Sequence, residues 1–171
     1  MYLARHGDVS YFDSSEEHGD DDPPLNATGR TQAEALGQLL ADAPIDLAAC
    51  TGLQRTRQTA KLAIGPRPLD IAVFEGLREA QTGTFEEIDS AEEMEAMFVG
   101  AFDNADVPGA NFLTGESYSD LWARVATAWQ ALLARDDWSQ ALVAAHGVVN
   151  RTILAQALGA GPQIYRRLEQ D

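Results

Sequence analysis

In the stretch Ala141-Leu142-Val143-Ala144-Ala145-His146-Gly147, five apolar residues are followed by a histidine and a glycine. The length of this run and its lack of polar residues predict a strand of a parallel sheet that is buried on both faces. A second apolar run, Met1 to Ala4, is followed at once by Arg5-His6-Gly7. Because ligands gather at the carboxyl ends of the strands in such sheets, we expect His6 and His146 to share one pocket.

Strands and helices are predicted to alternate along the chain. The predicted strands are 1–4, 45–50, 71–74 and 141–145. The predicted helices are one that begins after an N-cap at Thr28, then 53–64, a helix that contains Met94, Met97 and Phe98, then 117–135 and 148–158. This alternation indicates an α/β fold with a mostly parallel sheet and helices on both faces. The length of 171 residues favours a single domain over 1–171.

Two long polar segments are predicted to be loops. Residues 13–22 carry a run of acidic side chains before Pro23-Pro24 and are expected to be solvated, including His18. The segment from Glu75 to Asp89 is also expected to be irregular. Loops of this kind carry substrate specificity, which we expect to lie within 10–24 and 85–111.

The net charge of −15 limits the partners that the protein can bind. Nucleic acids and anionic membranes need a basic surface, so neither is an expected partner. A small phosphorylated molecule remains compatible with this charge if a few arginines converge in a pocket.

The sequence lacks an apolar run long enough to span a membrane, does not begin like a signal peptide, and has one cysteine, Cys50. These features favour the cytoplasm, and they leave the oligomeric state open.

Phosphoryl transfer needs a nucleophile in line with the bond that breaks, positive groups around the phosphate, and an acid for the leaving oxygen. The candidate nucleophile is His6 and the candidate acid is Glu79. The candidate phosphate ligands are Arg5, Arg55 and His146. Glu75, Glu86 and Glu87 are carboxylates close to Glu79 in sequence that compete for the role of the acid.

The chain resembles the histidine phosphatase, or phosphoglycerate-mutase-like, superfamily over most of its length. Six elements carry this resemblance, in the family's order: Leu3-Ala4-Arg5-His6-Gly7; residues 25–33; residues 51–60; Leu77-Arg78-Glu79; Gly115-Glu116-Ser117; and Ala145-His146-Gly147-Val148. One such motif alone is a weak signal, whereas six in order make coincidence improbable.

The resemblance implies a phosphoglycerate-mutase-like three-layer sandwich and a metal-independent phosphatase of the small-molecule branch. It implies that His6 is the nucleophile and that Glu79 donates a proton and then acts as a base toward water. The implied phosphate pocket is made by Arg5, His6, Arg55 and His146, and Gly147 is expected to bind substrate beside it. Neither a metal nor a cofactor is expected.

This sequence departs from the family's pattern after Arg-His-Gly, where a phosphate-contacting Asn is usual. Here the residues are Asp8-Val9-Ser10-Tyr11-Phe12-Asp13. The family's sheet also often gains a strand near the C-terminus, a region that ends here in Glu169-Gln170-Asp171. Three alternatives stay open. Short members of the family can act on proteins, which leaves a protein phosphohistidine phosphatase, and the same phosphohistidine could serve a phosphoglycerate-type mutase. The missing Asn leaves a non-catalytic sensor of phosphate esters.

Four further residues have structural interpretations. Arg57 and Arg151 are expected to be solvated or structural, with contact to a distal group of the substrate as the alternative. Glu116 and Ser117 are expected to cap and begin the helix that follows them.

Two other enzyme classes are excluded by their missing motifs. Gly115-Glu116-Ser117-Tyr118-Ser119 lacks the last glycine of a nucleophile elbow, which excludes a serine hydrolase. No nucleotide-binding phosphate loop is found in the sequence.

Overall fold

The computed structural model describes residues 1–10, 22–83 and 91–168. The strands are β1 Tyr2–Arg5, β2 Leu47–Cys50, β3 Ile71–Val73 and β4 Ala141–Ala145. The α-helices are α1 Ala27–Leu39, α2 Gln54–Ile64, α3 Ala91–Phe98, α4 Tyr118–Leu133 and α5 Gly147–Ala157. Two 3-10 turns, Glu75–Leu77 and Pro162–Arg167, complete the elements.

The four strands form one parallel sheet with the order β1-β4-β2-β3. The most apolar strand, β4, is fully buried and lies between β1 and β2. The register pairs Arg5 with Ala145, so the residues that leave β1 and β4 are neighbours at one edge of the sheet. The predicted parallel α/β sheet is therefore confirmed.

Alternate side chains of β4 pack in different layers. Val143 and Ala145 belong to the core formed with α4 and α5, whereas Leu142 packs with residues of α1 and α2. This separation follows from the strand period of two residues, which sends successive side chains to opposite faces. The helices therefore cover both faces, as predicted, and the sheet is the middle of three layers.

The start of α1 corrects the prediction that Thr28 is the N-cap. Asn26 is the cap, and its side chain accepts a hydrogen bond from the backbone N–H of Gly29. Both residue types are good caps. The backbone N–H of Asn26 donates to the carbonyl oxygen of Asp8 at 3.1 Å, and this contact fixes where the helix begins. Thr28 then lies inside the first turn.

The C-terminal part of the described chain is helical. Within residues 1–10, 22–83 and 91–168, no fifth strand joins the sheet. The turn Pro162–Arg167 instead buries Tyr165, whose hydroxyl lies 2.8 Å from that of Thr152 on α5. Among the described residues, no helix has the length and apolar content to cross a membrane.

Some predictions fall on residues outside the described ranges. They concern the acidic loop 13–22 apart from Asp22, including His18, and the competing carboxylates Glu86 and Glu87.

Candidate active site

His6 and His146 lie side by side at the carboxyl end of the sheet. Their ring centroids are 5.2 Å apart and the rings are inclined at 68°. This proximity follows from the pairing of β1 with β4, and the backbone N–H of His6 continues that ladder by donating to the carbonyl oxygen of Ala145 at 3.0 Å. The sequence-based expectation of a shared site for the two histidines therefore agrees with the geometry.

The ring of His6 is held in one tautomer. Its Nδ1 lies 2.8 Å from the carbonyl oxygen of Gly7. Because a carbonyl oxygen can only accept a hydrogen bond, Nδ1 carries the proton and Nε2 keeps its lone pair in the neutral ring. Burial lowers the pKa of His6 to about 4, and the positive charges of Arg55 and Arg5 act in the same direction. The ring is therefore neutral at pH 7.

Gly7 allows the loop that carries His6 to lie in close contact with α1. A Cβ atom on Gly7 would lie 2.4 Å from the carbonyl oxygen of Gly29 in α1, much closer than any such contact can be. The backbone N–H of Gly7 also donates to the Thr59 hydroxyl on α2 at 3.0 Å. The loop that carries His6 is thus fixed by α1 and α2, and only glycine fits this approach.

Arg55 brings a positive charge to the two histidines from the first turn of α2. It is buried, and its charge lowers the pKa values of both His6 and His146. One carboxylate oxygen of Asp22 is 3.7 Å from Nη1 of Arg55. The same oxygen accepts a hydrogen bond from the backbone N–H of Gln54 at 2.7 Å, so Asp22 also satisfies the first N–H group of α2.

His146 is fully buried and is held through one ring nitrogen. Its Nε2 lies 2.9 Å from the hydroxyl oxygen of Thr51, which in turn is 3.0 Å from the hydroxyl of Thr56. Burial lowers the pKa of His146 to about 2, with Arg55 as the next cause. Within the described part of the chain, Nδ1 of His146 has no hydrogen-bond partner. Nδ1 is thus a buried ring nitrogen whose hydrogen-bonding capacity the described residues leave unused.

The carboxylate of Glu79 lies against the N-terminus of α5, directly after His146. It accepts backbone hydrogen bonds from Ala80 at 2.9 Å, from Val148 at 3.2 Å and from Val149 at 3.3 Å. Burial raises the pKa of Glu79 and outweighs these hydrogen bonds and the charge of Arg5, which lower it. A raised pKa favours the protonated form, which a proton donor requires.

Gly147 lies beside both Glu79 and Arg5. A Cβ atom on Gly147 would be 3.7 Å from Oε2 of Glu79 and 3.9 Å from Nε of Arg5. Arg5 is exposed, and it is the last residue of β1. The structure thus brings the predicted site residues together: Arg5, His6, Arg55, Glu79, His146 and Gly147 all lie at this edge of the sheet.

The remaining candidates lie elsewhere or have structural partners. Glu75, a competing carboxylate, pairs with the exposed Arg78 at 3.4 Å. Arg57 is exposed, as expected. Arg151 donates to the carbonyl oxygens of Gly147 and Tyr165, both at 3.2 Å, which agrees with its structural interpretation.

Ser117 is the N-cap of α4, as predicted, but the same prediction is wrong for Glu116. The Glu116 carboxylate forms an ion pair with Arg124 instead, at 2.6 Å. The reason is burial: only 9% of the Glu116 side chain is exposed, and a carboxylate in that position needs a cationic partner.

Thr51 and Arg124 belong to the site but were not predicted from the sequence. Thr51 is part of the motif around Arg55, but its contact with His146 spans 95 residues of sequence. Arg124 lies on α4 and donates to the backbone of Glu79 at 3.1 Å. The position after Gly7 where an Asn is usual in the resembling family falls partly on undescribed residues. Of the described ones, Asp8 accepts a hydrogen bond from the Asn26 side chain at 2.7 Å.

Known proteins resemble this chain over its whole length. Residues 1–171 match the family model described as "Histidine phosphatase superfamily (branch 1)". An Arabidopsis thaliana protein named "Probable 2-carboxy-D-arabinitol-1-phosphatase" is 32% identical over 99% of this chain, which spans only 36% of that protein. A Yersinia enterocolitica protein named "Probable phosphoglycerate mutase GpmB" is 30% identical over 98% of this chain and 79% of its own length.

Solved structures agree with the fold. The crystal structure of the alpha-ribazole phosphatase from Shigella flexneri superposes with a TM-score of 0.78 and 27% identity. The match covers 99% of this chain and 84% of that one. The expected phosphoglycerate-mutase-like sandwich is therefore confirmed.

Proposed function

The chain belongs to the histidine phosphatase superfamily, branch 1, and from this premise we propose that it hydrolyses phosphomonoesters through a phosphohistidine on Nε2 of His6. The observation that carries the proposal is the state of the His6 ring. Its Nδ1–H is engaged by the Gly7 carbonyl oxygen, and the lowered pKa keeps the ring neutral. Nε2 therefore offers a lone pair at neutral pH beside the positive charge of Arg55.

In this mechanism the substrate's phosphate binds among Arg5, Arg55 and Nδ1 of His146. The two guanidinium groups supply fixed positive charge to the phosphate oxygens, which gain charge as the bond to the leaving group stretches. His146 supplies a neutral hydrogen bond in the tautomer that has its proton on Nδ1, in which the Thr51 hydroxyl is the donor to Nε2. The Gly147 backbone borders the same space.

The first step forms the phosphoenzyme. The Nε2 lone pair of His6 attacks phosphorus, and the bond between phosphorus and the ester oxygen breaks. The electron pair of that bond goes to the leaving oxygen, which takes the proton of the Glu79 carboxyl group and departs as an alcohol. The raised pKa of Glu79 suits this role because it maintains the acid form.

The second step releases phosphate. A water molecule enters where the alcohol was, and the Glu79 carboxylate takes a proton from it as its oxygen attacks phosphorus. The bond between phosphorus and Nε2 breaks, its electron pair returns to His6, and inorganic phosphate leaves. Glu79 is protonated again, so the enzyme has returned to its initial state.

The substrate class that we propose is a small phosphorylated molecule, and the reaction needs no metal. The acidic surface of the protein matches this class because the charge of −15 disfavours polyanions while the arginines at the site attract a single phosphate. The relatives named as phosphatases support a hydrolase.

The test compares wild type with His6→Ala on p-nitrophenyl phosphate in the presence of a chelator. The wild type should release phosphate and, after rapid quenching, carry a phosphoryl group that is lost in acid and kept in alkali. His6→Ala should do neither. Full activity in His6→Ala, or activity that the chelator removes, would contradict the proposal. Phosphate binding without turnover in the wild type would favour the sensor, and turnover of only a phosphohistidine protein would favour the protein phosphatase.

A mutase is the second candidate, favoured by the mutase names of several relatives. The same phosphohistidine would return its phosphoryl group to an acceptor hydroxyl instead of to water. Product analysis with 3-phosphoglycerate separates the two functions. Free phosphate and glycerate indicate the phosphatase, whereas 2-phosphoglycerate without free phosphate indicates the mutase.

A further inference from the structure

Arg124 on α4 uses all of its N–H groups in one cluster of contacts. Nη1 donates to the carbonyl oxygens of Gly76 at 2.9 Å and Arg78 at 2.7 Å, and Nη2 donates to that of Glu79 at 3.1 Å. Nε and Nη2 donate to the two carboxylate oxygens of Glu116 at 2.6 Å and 2.7 Å. A guanidinium group has five N–H donors, and each has an acceptor here.

Glu116 connects this cluster to the segment that follows Glu79. Its backbone N–H donates to the carbonyl oxygen of Gln81 at 2.9 Å, and its carboxylate accepts the Gln81 N–H at 3.4 Å. The side chain is largely buried, so its charge needs the Arg124 partner. Glu116 therefore fixes the orientation of the guanidinium plane as well as the end of the segment.

The segment from Gly76 to Gln81 has little regular structure of its own. The 3-10 turn Glu75–Leu77 lies just before Glu79, Arg78 is extended, and residues 79–83 belong to no helix or strand. Arg124 supplies donors to three carbonyl oxygens of this segment, a task that regular structure performs elsewhere. Arg124 of α4 thus hydrogen-bonds to the backbone of Glu79, while backbone N–H groups of α5 hydrogen-bond to its carboxylate.

We infer that Arg124, oriented by Glu116, is the positioning residue for the proton donor Glu79. This inference rests on the proposed function. Arg124 acts through the backbone of Glu79, and its hydrogen bonds to described residues go to backbone carbonyl oxygens and to Glu116. Its contribution is the placement of the carboxyl group within reach of the leaving oxygen, where an error of about 1 Å can cost on the order of a hundredfold in rate.

The leaving group distinguishes this role from general stabilisation. An alcohol must be protonated as it leaves, whereas p-nitrophenolate is a stable anion and needs the acid much less. A displaced Glu79 therefore slows hydrolysis of an alkyl phosphate such as β-glycerophosphate far more than hydrolysis of p-nitrophenyl phosphate. The quantity to compare is kcat/KM, because it reports the steps up to formation of the phosphoenzyme.

The experiment measures kcat/KM on both substrates for wild type, Arg124→Lys and the milder Glu116→Gln. We expect Arg124→Lys to lower kcat/KM roughly ten- to a hundredfold on the alkyl phosphate and less than about threefold on the aryl phosphate. The larger loss is a part of the rate gain that general acid catalysis provides. Lysine keeps the charge but cannot reach five acceptors in one plane. The matched control is Arg135→Lys, which alters an exposed pair with Asp137 just beyond the same helix.

Equal losses on the two substrates, or no loss in folded Arg124→Lys and Glu116→Gln, would overturn the inference. In a Glu79→Gln background the further change Arg124→Lys should no longer discriminate between the substrates, since the group that it positions is gone. Failure of the proposed function has a different signature. The wild type would then hydrolyse neither substrate and would form no phosphoenzyme.

Discussion

The hydroxyl oxygen of Thr51 lies 2.9 Å from Nε2 of His146, and both residues are fully buried. Thr51 directly follows β2 at the carboxyl edge of the sheet, next to β4, from which His146 emerges. The contact therefore follows from the sheet order. Nε2 of His146 is therefore hydrogen-bonded within the protein, whereas Nδ1 has no partner among the described residues.

Thr51→Val should lower kcat/KM on the order of tenfold, which corresponds to about 1.4 kcal/mol in the barrier. Valine has nearly the shape of threonine but cannot hydrogen-bond to His146, so Nε2 of that ring loses its hydrogen-bond partner. A buried nitrogen without a partner should also reduce the free energy of unfolding by about 1 to 3 kcal/mol. Steady-state kinetics and urea denaturation measure the two effects. Thr127→Val is the control, since that hydroxyl is exposed and donates only to Ala123 of its own helix. An unchanged kcat/KM in Thr51→Val would show that the hydroxyl does not prepare His146.

The pH profile of kcat/KM should be determined by His6 on the acid side and by Glu79 on the alkaline side. The nucleophile must be neutral, so kcat/KM should fall as the pH drops toward the lowered His6 pKa of about 4. The proton donor must be protonated, so kcat/KM should also fall as the pH rises through the raised pKa of Glu79.

Glu79→Gln tests the alkaline assignment. Its profile on an alkyl phosphate should be lower throughout and should lack the fall that wild type shows at high pH. Using one substrate for both proteins cancels the ionisation of the substrate itself. If the alkaline fall persists in Glu79→Gln, another group is responsible for it.

The shared site of the two histidines could be predicted because apolar runs mark buried strands and polar residues follow where those strands end. The start of α1 could not be predicted, since Asn26 and Thr28 are both suitable caps and a contact from Asp8 decides between them. The roles of Thr51 and Arg124 depend on contacts between distant segments. They arise only from the order of the strands and the docking of α4, which no local pattern in the sequence records.

The stability of the protein should fall as the pH drops from about 6.5 toward about 4, the lowered pKa of His6. In this window the unfolded chain binds a proton at His6 while the folded protein does not, so acid favours unfolding. His146 acts in the same direction, since its pKa is lowered to about 2, whereas Glu79, whose pKa is raised, acts in the opposite direction and offsets part of the effect. The measurement is urea denaturation at pH 7, 6 and 5. His6→Asn should flatten the dependence by up to about 1.4 kcal/mol per pH unit, the value for one proton. Equal slopes in the two proteins would mean that His6 titrates alike in both states.

Gly7→Ala should destabilise the fold and abolish activity together. The new Cβ atom would lie 2.4 Å from the Gly29 carbonyl oxygen, so the backbone of the loop or of α1 must move. We expect a loss of about 3 kcal/mol in the free energy of unfolding, at the upper end for overpacking. Activity should fall in the protein that remains folded, because the Gly7 carbonyl oxygen fixes the tautomer of His6.

Gly159→Ala is the matched control for that loss of stability. Gly159 has a φ of +63°, and a Cβ atom at this position would meet no heavy atom of the described residues within 4 Å, so alanine adds backbone strain without a clash. It should cost about 1 kcal/mol and leave kcat/KM unchanged. Urea denaturation and phosphate release, measured on both variants, separate the two causes. If Gly7→Ala costs no more than Gly159→Ala and keeps its activity, the contact between the His6 loop and α1 is not what holds the nucleophile in place.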